Sequence, residues 1–156
     1  MKKYMSEALK EAAKAAEMGE IPVGAVIVRD GGIIARGHNM TETMKDPTAH
    51  AEMLAIRQAA QKLGGWRLLG CQMFVTTEPC SMCAGAIVLA RIEKLFIGTM
   101  DHKAGACGSV FNIPQENRLN HFVEIETGIM EEECSLLMKE FFRKLRAKNT
   151  KSEEDQ

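Results

Sequence analysis

Two short fragments constrain this chain more than anything else in it: His50-Ala51-Glu52 and Pro79-Cys80-Ser81-Met82-Cys83. Each falls where a helical pattern opens after a loop or strand. Cysteines three apart on a first helical turn present both sulfurs to one point. The partial positive charge of a helix N-terminus lowers their pKa, so they bind as thiolates. Pro79 stands at that helix mouth, where a missing N–H costs least. His50 and Glu52 are only two apart and would diverge in mid-helix. They serve one site only if His50 sits at the helix mouth and Glu52 reaches back past it. The fold must therefore bring two helix N-termini together at one point.

One nitrogen and two sulfurs suit Zn²⁺ and leave a fourth position open to water. Two thiolates formally cancel the metal's charge and weaken its effect on water acidity, so a nearby base is expected. Glu52 fits that role, moving a proton from water to substrate. A Cys-x-x-Cys pair near a β-α-β pattern also suits redox work, but the upstream His-x-Glu and the proline argue for metal. A structural zinc site wants a fourth protein ligand, and His38, His102 and His121 stand at no ligand spacing. The expected ligands are His50, Cys80 and Cys83. The lone Cys71, Cys107 and Cys134 read as small buried hydrophobes.

The rest of the pattern surrounds these fragments with an α/β fold. Met5, Ala8, Leu9, Ala12 and Ala16 mark a helix over residues 2–18. Strands are expected at 23–28 and 33–35 around an Asp30-Gly31-Gly32 turn, forming an antiparallel hairpin. A second helix should start near Asp46-Pro47-Thr48, carry Met53, Leu54, Ile56, Ala60 and Leu63 on its apolar face, and stop at Gly64-Gly65. Strand 72–76, helix 81–91 and strand 94–98 follow, then a long loop over 101–121, strand 122–125 and helix 131–148. Together these predict a central mixed five-stranded sheet with helices on both faces. Residues 1–148 form one domain and 149–156 a polar, frayed tail. The 156 residues suit one domain, no apolar run reaches the ~18 residues of a membrane span, and no signal peptide is readable. A cytoplasmic protein is expected. A net charge of −1 leaves nucleic-acid binding to a local patch. The last helix offers one in Lys139, Arg143, Lys144, Arg146, Lys148 and Lys151. It reads either as a solvated face opposite Leu137, Phe141 and Leu145 or as a row of phosphate contacts, with Phe142 displaced from the apolar stripe.

His-x-Glu followed by Pro-Cys-x-x-Cys is the signature of zinc nucleobase deaminases. Over residues 4–146 the chain closely resembles the bacterial tRNA-specific adenosine deaminases. The resemblance is carried by Ile21-Pro22-Val23-Gly24-Ala25-Val26, Asp46-Pro47-Thr48-Ala49-His50-Ala51-Glu52, Glu78-Pro79-Cys80, Cys83-Ala84-Gly85-Ala86, the glycine-containing 103–109 loop and Phe141-Phe142-Arg143. It implies a cytidine-deaminase-like three-layer α/β/α sandwich, one zinc per subunit on His50, Cys80 and Cys83, and Glu52 as proton carrier. It implies hydrolysis of the wobble adenosine of a tRNA anticodon loop to inosine, with that nucleotide splayed into the pocket. It also implies a homodimer whose subunits both touch tRNA. Asn39, Ala51, Pro79 and Asp101 are the implied substrate contacts, with Lys103, Phe142, Arg143 and Arg146 as candidate tRNA contacts; Asn39 alone would pass for a turn asparagine. Met100 and His102 depart from the family pattern and are assigned no role. Two rivals stand beside this: a deaminase of free guanine, cytosine or cytidine, and a zinc-stabilised binding module without catalysis.

Overall fold

The computed structural model describes the chain through residue 154. Its elements are α1 (Lys2–Glu17), β1 (Gly24–Arg29), β2 (Gly32–His38), α2 (Thr41–Met44), α3 (Ala51–Leu63), β3 (Cys71–Thr77), α4 (Ser81–Leu89), β4 (Lys94–Thr99), a 3-10 turn (Ile113–Gln115), β5 (Glu124–Thr127) and α5 (Glu131–Glu154). The five strands form one sheet in the order β2-β1-β3-β4-β5. β1 runs antiparallel to β2 and β3, while β3, β4 and β5 are parallel. The β1–β2 hairpin closes on Asp30 and Gly31, both at positive φ (51° and 77°), the geometry that an Asp-Gly turn between twisted strands favours.

Strand alternation divides the core in two. Ala25, Ile27, Met73, Val75, Leu95 and Ile97 face the layer of α3 and α4. Val26, Val28, Phe74 and Phe96 face the layer of α1 and α5, where the rings of Phe74 and Phe96 stack with centroids 4.2 Å apart. The molecule is thus the expected three-layer α/β/α sandwich. The buried lone cysteines Cys71, Cys107 and Cys134 behave as the small hydrophobes they resemble.

Small residues let the helices sit close to the sheet. A Cβ at Gly24 would land on the Ala8 carbonyl of α1, and one at Gly37 on the Ala51 carbonyl in the first turn of α3. The expected apolar face of α3 holds in part: Ile56, Ala60 and Leu63 pack half-buried against the core. The fully buried line, however, is Ala51, Ala55 and Ala59, and Met53 and Leu54 are half-buried flanks. At so short a separation only alanine fits beneath the helix.

Several boundaries also differ from expectation: β2 runs over Gly32–His38 rather than 33–35, α3 opens at Ala51 rather than near Asp46-Pro47-Thr48, and α4 ends at Leu89 rather than 91. The polar stretch before residue 46 contains the short α2, which no apolar period announced. β5 forms at 124–127 rather than 122–125, because its parallel register with β4 begins at Lys94↔Glu124; Phe122 is left exposed. α5 continues to Glu154 instead of ending near 148, since residues 149–154 contain neither glycine nor proline to stop it and include the good helix formers Lys151, Glu153 and Glu154. Residues 155 and 156 of the expected frayed tail lie outside the described residues. Among the described residues no helix is long and apolar enough to cross a membrane.

Candidate active site

The N-termini of α3 and α4 converge, as the motif spacing demands. His50 is the N-cap of α3 and Cys80 the N-cap of α4, both with extended backbone, and Cys83 lies in the first turn of α4. The Nδ1 atom of His50 is 3.6 Å from Sγ of Cys80 and 3.6 Å from Sγ of Cys83. All three ligand atoms lie within 4.8 Å of one another. Tetrahedral zinc, with bonds of about 2.3 Å to sulfur and 2.0–2.1 Å to nitrogen, separates nitrogen from sulfur by about 3.5 Å. The donor set and its spacing therefore fit a zinc ion held by His50, Cys80 and Cys83, with no fourth protein ligand in the group.

The electrostatics suit that ion. A hydrogen bond from the Cys83 thiol holds Cys80 down at about 5 against burial, helped by the Cys83 and Met82 N–H groups at the helix mouth and by His50. The same bond, together with burial, pushes Cys83 up. Metal binding displaces such a retained proton. Glu52, only 3% exposed in the first turn of α3, lies close enough to the cluster for Cys80, His50 and Cys83 to act on its carboxyl. Burial raises its carboxyl to about 7, and the negative charge of Cys80 adds to the rise. A carboxyl group poised there can both take and give a proton near neutral pH.

The remaining sequence-expected residues fall into three groups. Asn39 and Ala51 adjoin the cluster directly: the Asn39 Oδ1 accepts the Ala51 N–H at 2.8 Å, pinning the end of β2 to the mouth of α3. The Asn39 Nδ2 has no acceptor among the described residues and stays available to a ligand. Pro79, next to Cys80, accepts the Ala106 N–H at 2.8 Å on its carbonyl. Asp101 and Lys103 lie on the loop after β4, where the half-buried Asp101 Oδ1 accepts the Lys103 and Ala104 N–H groups. Met100 packs against the core, and His102 and Lys103 are exposed. Phe142, Arg143 and Arg146 belong to α5, in the layer across the sheet from α3 and α4. Phe142 is half-buried with its ring edge-on to Phe141 at 5.4 Å. Leu137 and Phe141 keep an inward face, but Leu145 is 40% exposed, so the apolar stripe ends before it.

Two buried carboxylates, neither of them among the sequence-expected site residues, tie down neighbouring segments. Glu20, 1% exposed, caps α2. It accepts the N–H of Glu42 and of Thr43 and the hydroxyls of Thr43 and Thr41. Burial alone would raise its pKa, but these bonds outweigh it and hold the carboxyl below the usual range. Glu78, 4% exposed between β3 and α4, accepts from Asp101, Cys107 and Ser109 of the 101–109 loop. In the sequence each is one acid beside a proline-containing turn, and its partners lie 21–31 residues away. No local period marks such a group.

Residues 1–99, which include the whole cluster, match the family described as the cytidine and deoxycytidylate deaminase zinc-binding region. A curated tRNA-specific adenosine deaminase of Bacillus subtilis (strain 168) is 54% identical over 145 residues, spanning 93% of this chain and 90% of the relative. This chain belongs to the tRNA-specific adenosine deaminases. A solved structure from work on A-to-I editing by tRNA:A34 deaminases superposes on this deaminase with a TM-score of 0.85 at 42% identity, covering 88% of this chain and 99% of the other. A guanine deaminase structure from Bacillus subtilis is also similar, with 44% identity and a TM-score of 0.60, but over only 63% of each chain. Zinc ligation by this deaminase family accounts for the geometry of His50, Cys80 and Cys83, and the deaminase fold accounts for the order and direction of the strands.

Proposed function

We propose that this deaminase hydrolyses the wobble adenosine of a tRNA anticodon loop to inosine and ammonia. The observation that carries the chemistry is the convergence of His50, Cys80 and Cys83 with the buried Glu52 at their side. The substrate reading is supported by the near full-length similarity to tRNA-specific adenosine deaminases. His50, Cys80 and Cys83 would hold a zinc ion whose open position would supply a water of lowered pKa.

The protein's own groups do the rest. Glu52 takes a proton from water, whose oxygen adds to the adenine carbon bearing the amine. It returns the proton to a ring nitrogen, then carries the proton of the added hydroxyl to the amine, so that the C–N bond breaks, ammonia leaves and the carbonyl forms. The buried surroundings of Glu52 keep its proton affinity high enough for both directions. The Asn39 amide NH2 donates to the base or ribose; Ala51 and Pro79, beside the metal ligands, bound the pocket; Asp101 meets the ribose. Lys103, Phe142, Arg143 and Arg146 contact the RNA beyond the target nucleotide. A deaminase acting on tRNA would work in the cytoplasm.

The active form is a homodimer. In support, Leu89 (66% exposed), Leu69 (59%) and Phe122 (56%) lie around the C-terminal end of α4 and leave apolar surface uncovered. Light scattering should give twice the 17.2 kDa chain mass, and a monomer at working concentration would reject that assembly.

The decisive assay measures inosine in an anticodon stem-loop with adenosine at the wobble position, beside free adenosine, guanine and cytidine. Activity confined to the stem-loop is expected. Ammonia from guanine alone would keep the zinc chemistry and replace the substrate. Zinc binding with no activity on any of the four would favour a non-catalytic module.

A further inference from the structure

The carboxylate of Glu78 is the anchor of a whole loop. It leaves β3 just before Pro79 and Cys80 and is almost fully buried. Its Oε1 accepts the Asp101 N–H at 2.9 Å and the Ser109 hydroxyl; its Oε2 accepts the Cys107 and Ser109 N–H groups, each at 3.0 Å. Three backbone donors and one hydroxyl thus converge on one side chain. No lysine or arginine pairs with it among the described residues. The bonds enclose the carboxylate in a ring of backbone running from Asp101 to Ser109. Gly105 completes the ring, because a Cβ there would land on the Glu78 carboxyl group. The Gly105 carbonyl in turn accepts the Val110 and Phe111 N–H groups, and the Ala106 N–H binds Pro79.

The geometry points to Glu78 as a positioning residue for the nucleotide. One side chain ties the segment leading into Cys80 to the loop carrying Asp101 and Lys103. It thereby sets the distance between the zinc ligands and the groups that meet ribose and phosphate. This rests on the proposed reading of that loop as an RNA contact. A glutamine at 78 keeps the volume but turns one accepting oxygen into an NH2 that faces donors, so part of the ring loses its partner. The loop should then loosen while the metal cluster, whose ligands Glu78 does not touch, stays loaded.

The test compares Glu78→Gln, Ser109→Ala and Gly105→Ala with the wild-type holoenzyme on the anticodon stem-loop. In Glu78→Gln the KM should rise roughly tenfold, the scale of one lost hydrogen bond at a buried acceptor. The kcat should stay within about threefold, since substrate binding rather than proton transfer has been altered. Zinc should remain at one per chain. Hydrogen exchange should show the amides of Asp101, Cys107 and Ser109 losing protection. Ser109→Ala removes only the hydroxyl and should move KM the same way by less, which keeps the test alive if Glu78→Gln folds poorly. Gly105→Ala forces the ring open from inside and should reproduce the Glu78→Gln pattern.

Unchanged KM with loosened amides would overturn the positioning role, and retained protection in Glu78→Gln would overturn the tie itself. A fall in kcat with loss of zinc at constant KM would make Glu78 a support of the metal helix instead. Wild-type inactivity on the stem-loop would remove the functional reading and this inference with it, and is recognised before any variant is measured.

Discussion

Glu52 and Cys83 separate what the cluster binds from what it catalyses. Glu52 is buried beside the ligand atoms but is not one of the group of three. Glu52→Gln should keep zinc at one per chain and an unchanged fold, while deamination falls by about 10²–10⁴-fold, the usual contribution of a positioned proton carrier. Metal analysis beside the rate decides it, and loss of zinc would instead make Glu52 a ligand. Cys83→Ala removes a buried sulfur 3.6 Å from His50 Nδ1, and stoichiometric zinc should be lost; full occupancy would refute the ligand assignment. A third side chain tests the interior chemistry. Thr77 Oγ1 is buried without a partner among the described residues. Thr77→Val keeps the β-branched shape and removes the stranded hydroxyl, so the protein should gain about 1 kcal/mol. Thermal unfolding that shows a loss would mean that an ordered water satisfies the hydroxyl.

The elements matter because each site residue depends on how closely a helix lies on the sheet. Gly37 admits the first turn of α3, and Gly37→Ala would press a methyl group against the Ala51 carbonyl. Overpacking of this kind costs about 1–3 kcal/mol, and because Ala51 separates His50 from Glu52, zinc affinity should fall along with the melting temperature. An unaltered melting temperature would show that the helix can slide. The cap on α2 carries a pH dependence. The folded pKa of Glu20 is depressed, so its stabilisation is complete above the unfolded carboxylate range and disappears as pH falls through the lower folded value. Unfolding measured from pH 6 to pH 3 should show wild type losing more stability than Glu20→Gln. These contacts also explain what could be read beforehand. The motif spacing alone demanded two converging helix mouths, because chemistry fixes where a nitrogen and two sulfurs must meet. The hairpin was legible in Asp30-Gly31. The alanine line of α3 was not, since hydrophobicity ranks leucine and methionine above alanine, whereas the short distance to Gly37 admits only the small side chain. α2 was hidden for a related reason: its stability comes from Glu20, twenty-one residues before Thr41, and not from its own composition.

For the whole molecule the open question is how a chain of net charge −1 holds a polyanion. Charge distribution must do what total charge does not. Lys139, Arg143, Lys144, Arg146, Lys148 and Lys151 are all exposed on α5, and no ion pair joins any of them to an acid among the described residues. The helix continues past residue 148, so these charges stand on a regular rod rather than a loose tail. Their spacing along it is therefore set by the helical repeat. The alternative is a merely solvated face, and the two differ in salt dependence. If Arg143 and Arg146 each neutralise a phosphate, binding of the anticodon stem-loop should weaken with salt, and Arg143→Glu with Arg146→Glu should flatten the slope of log K against log salt by about 1.4–1.8. Zinc content and melting temperature should not move, because both side chains lie across the sheet from the cluster. Equal binding by the variant and wild type over the salt series would return α5 to a solvating role and leave the 101–109 loop as the main candidate for holding the RNA. A loss of affinity with an unchanged slope would place the effect in packing around Phe142 rather than in charge.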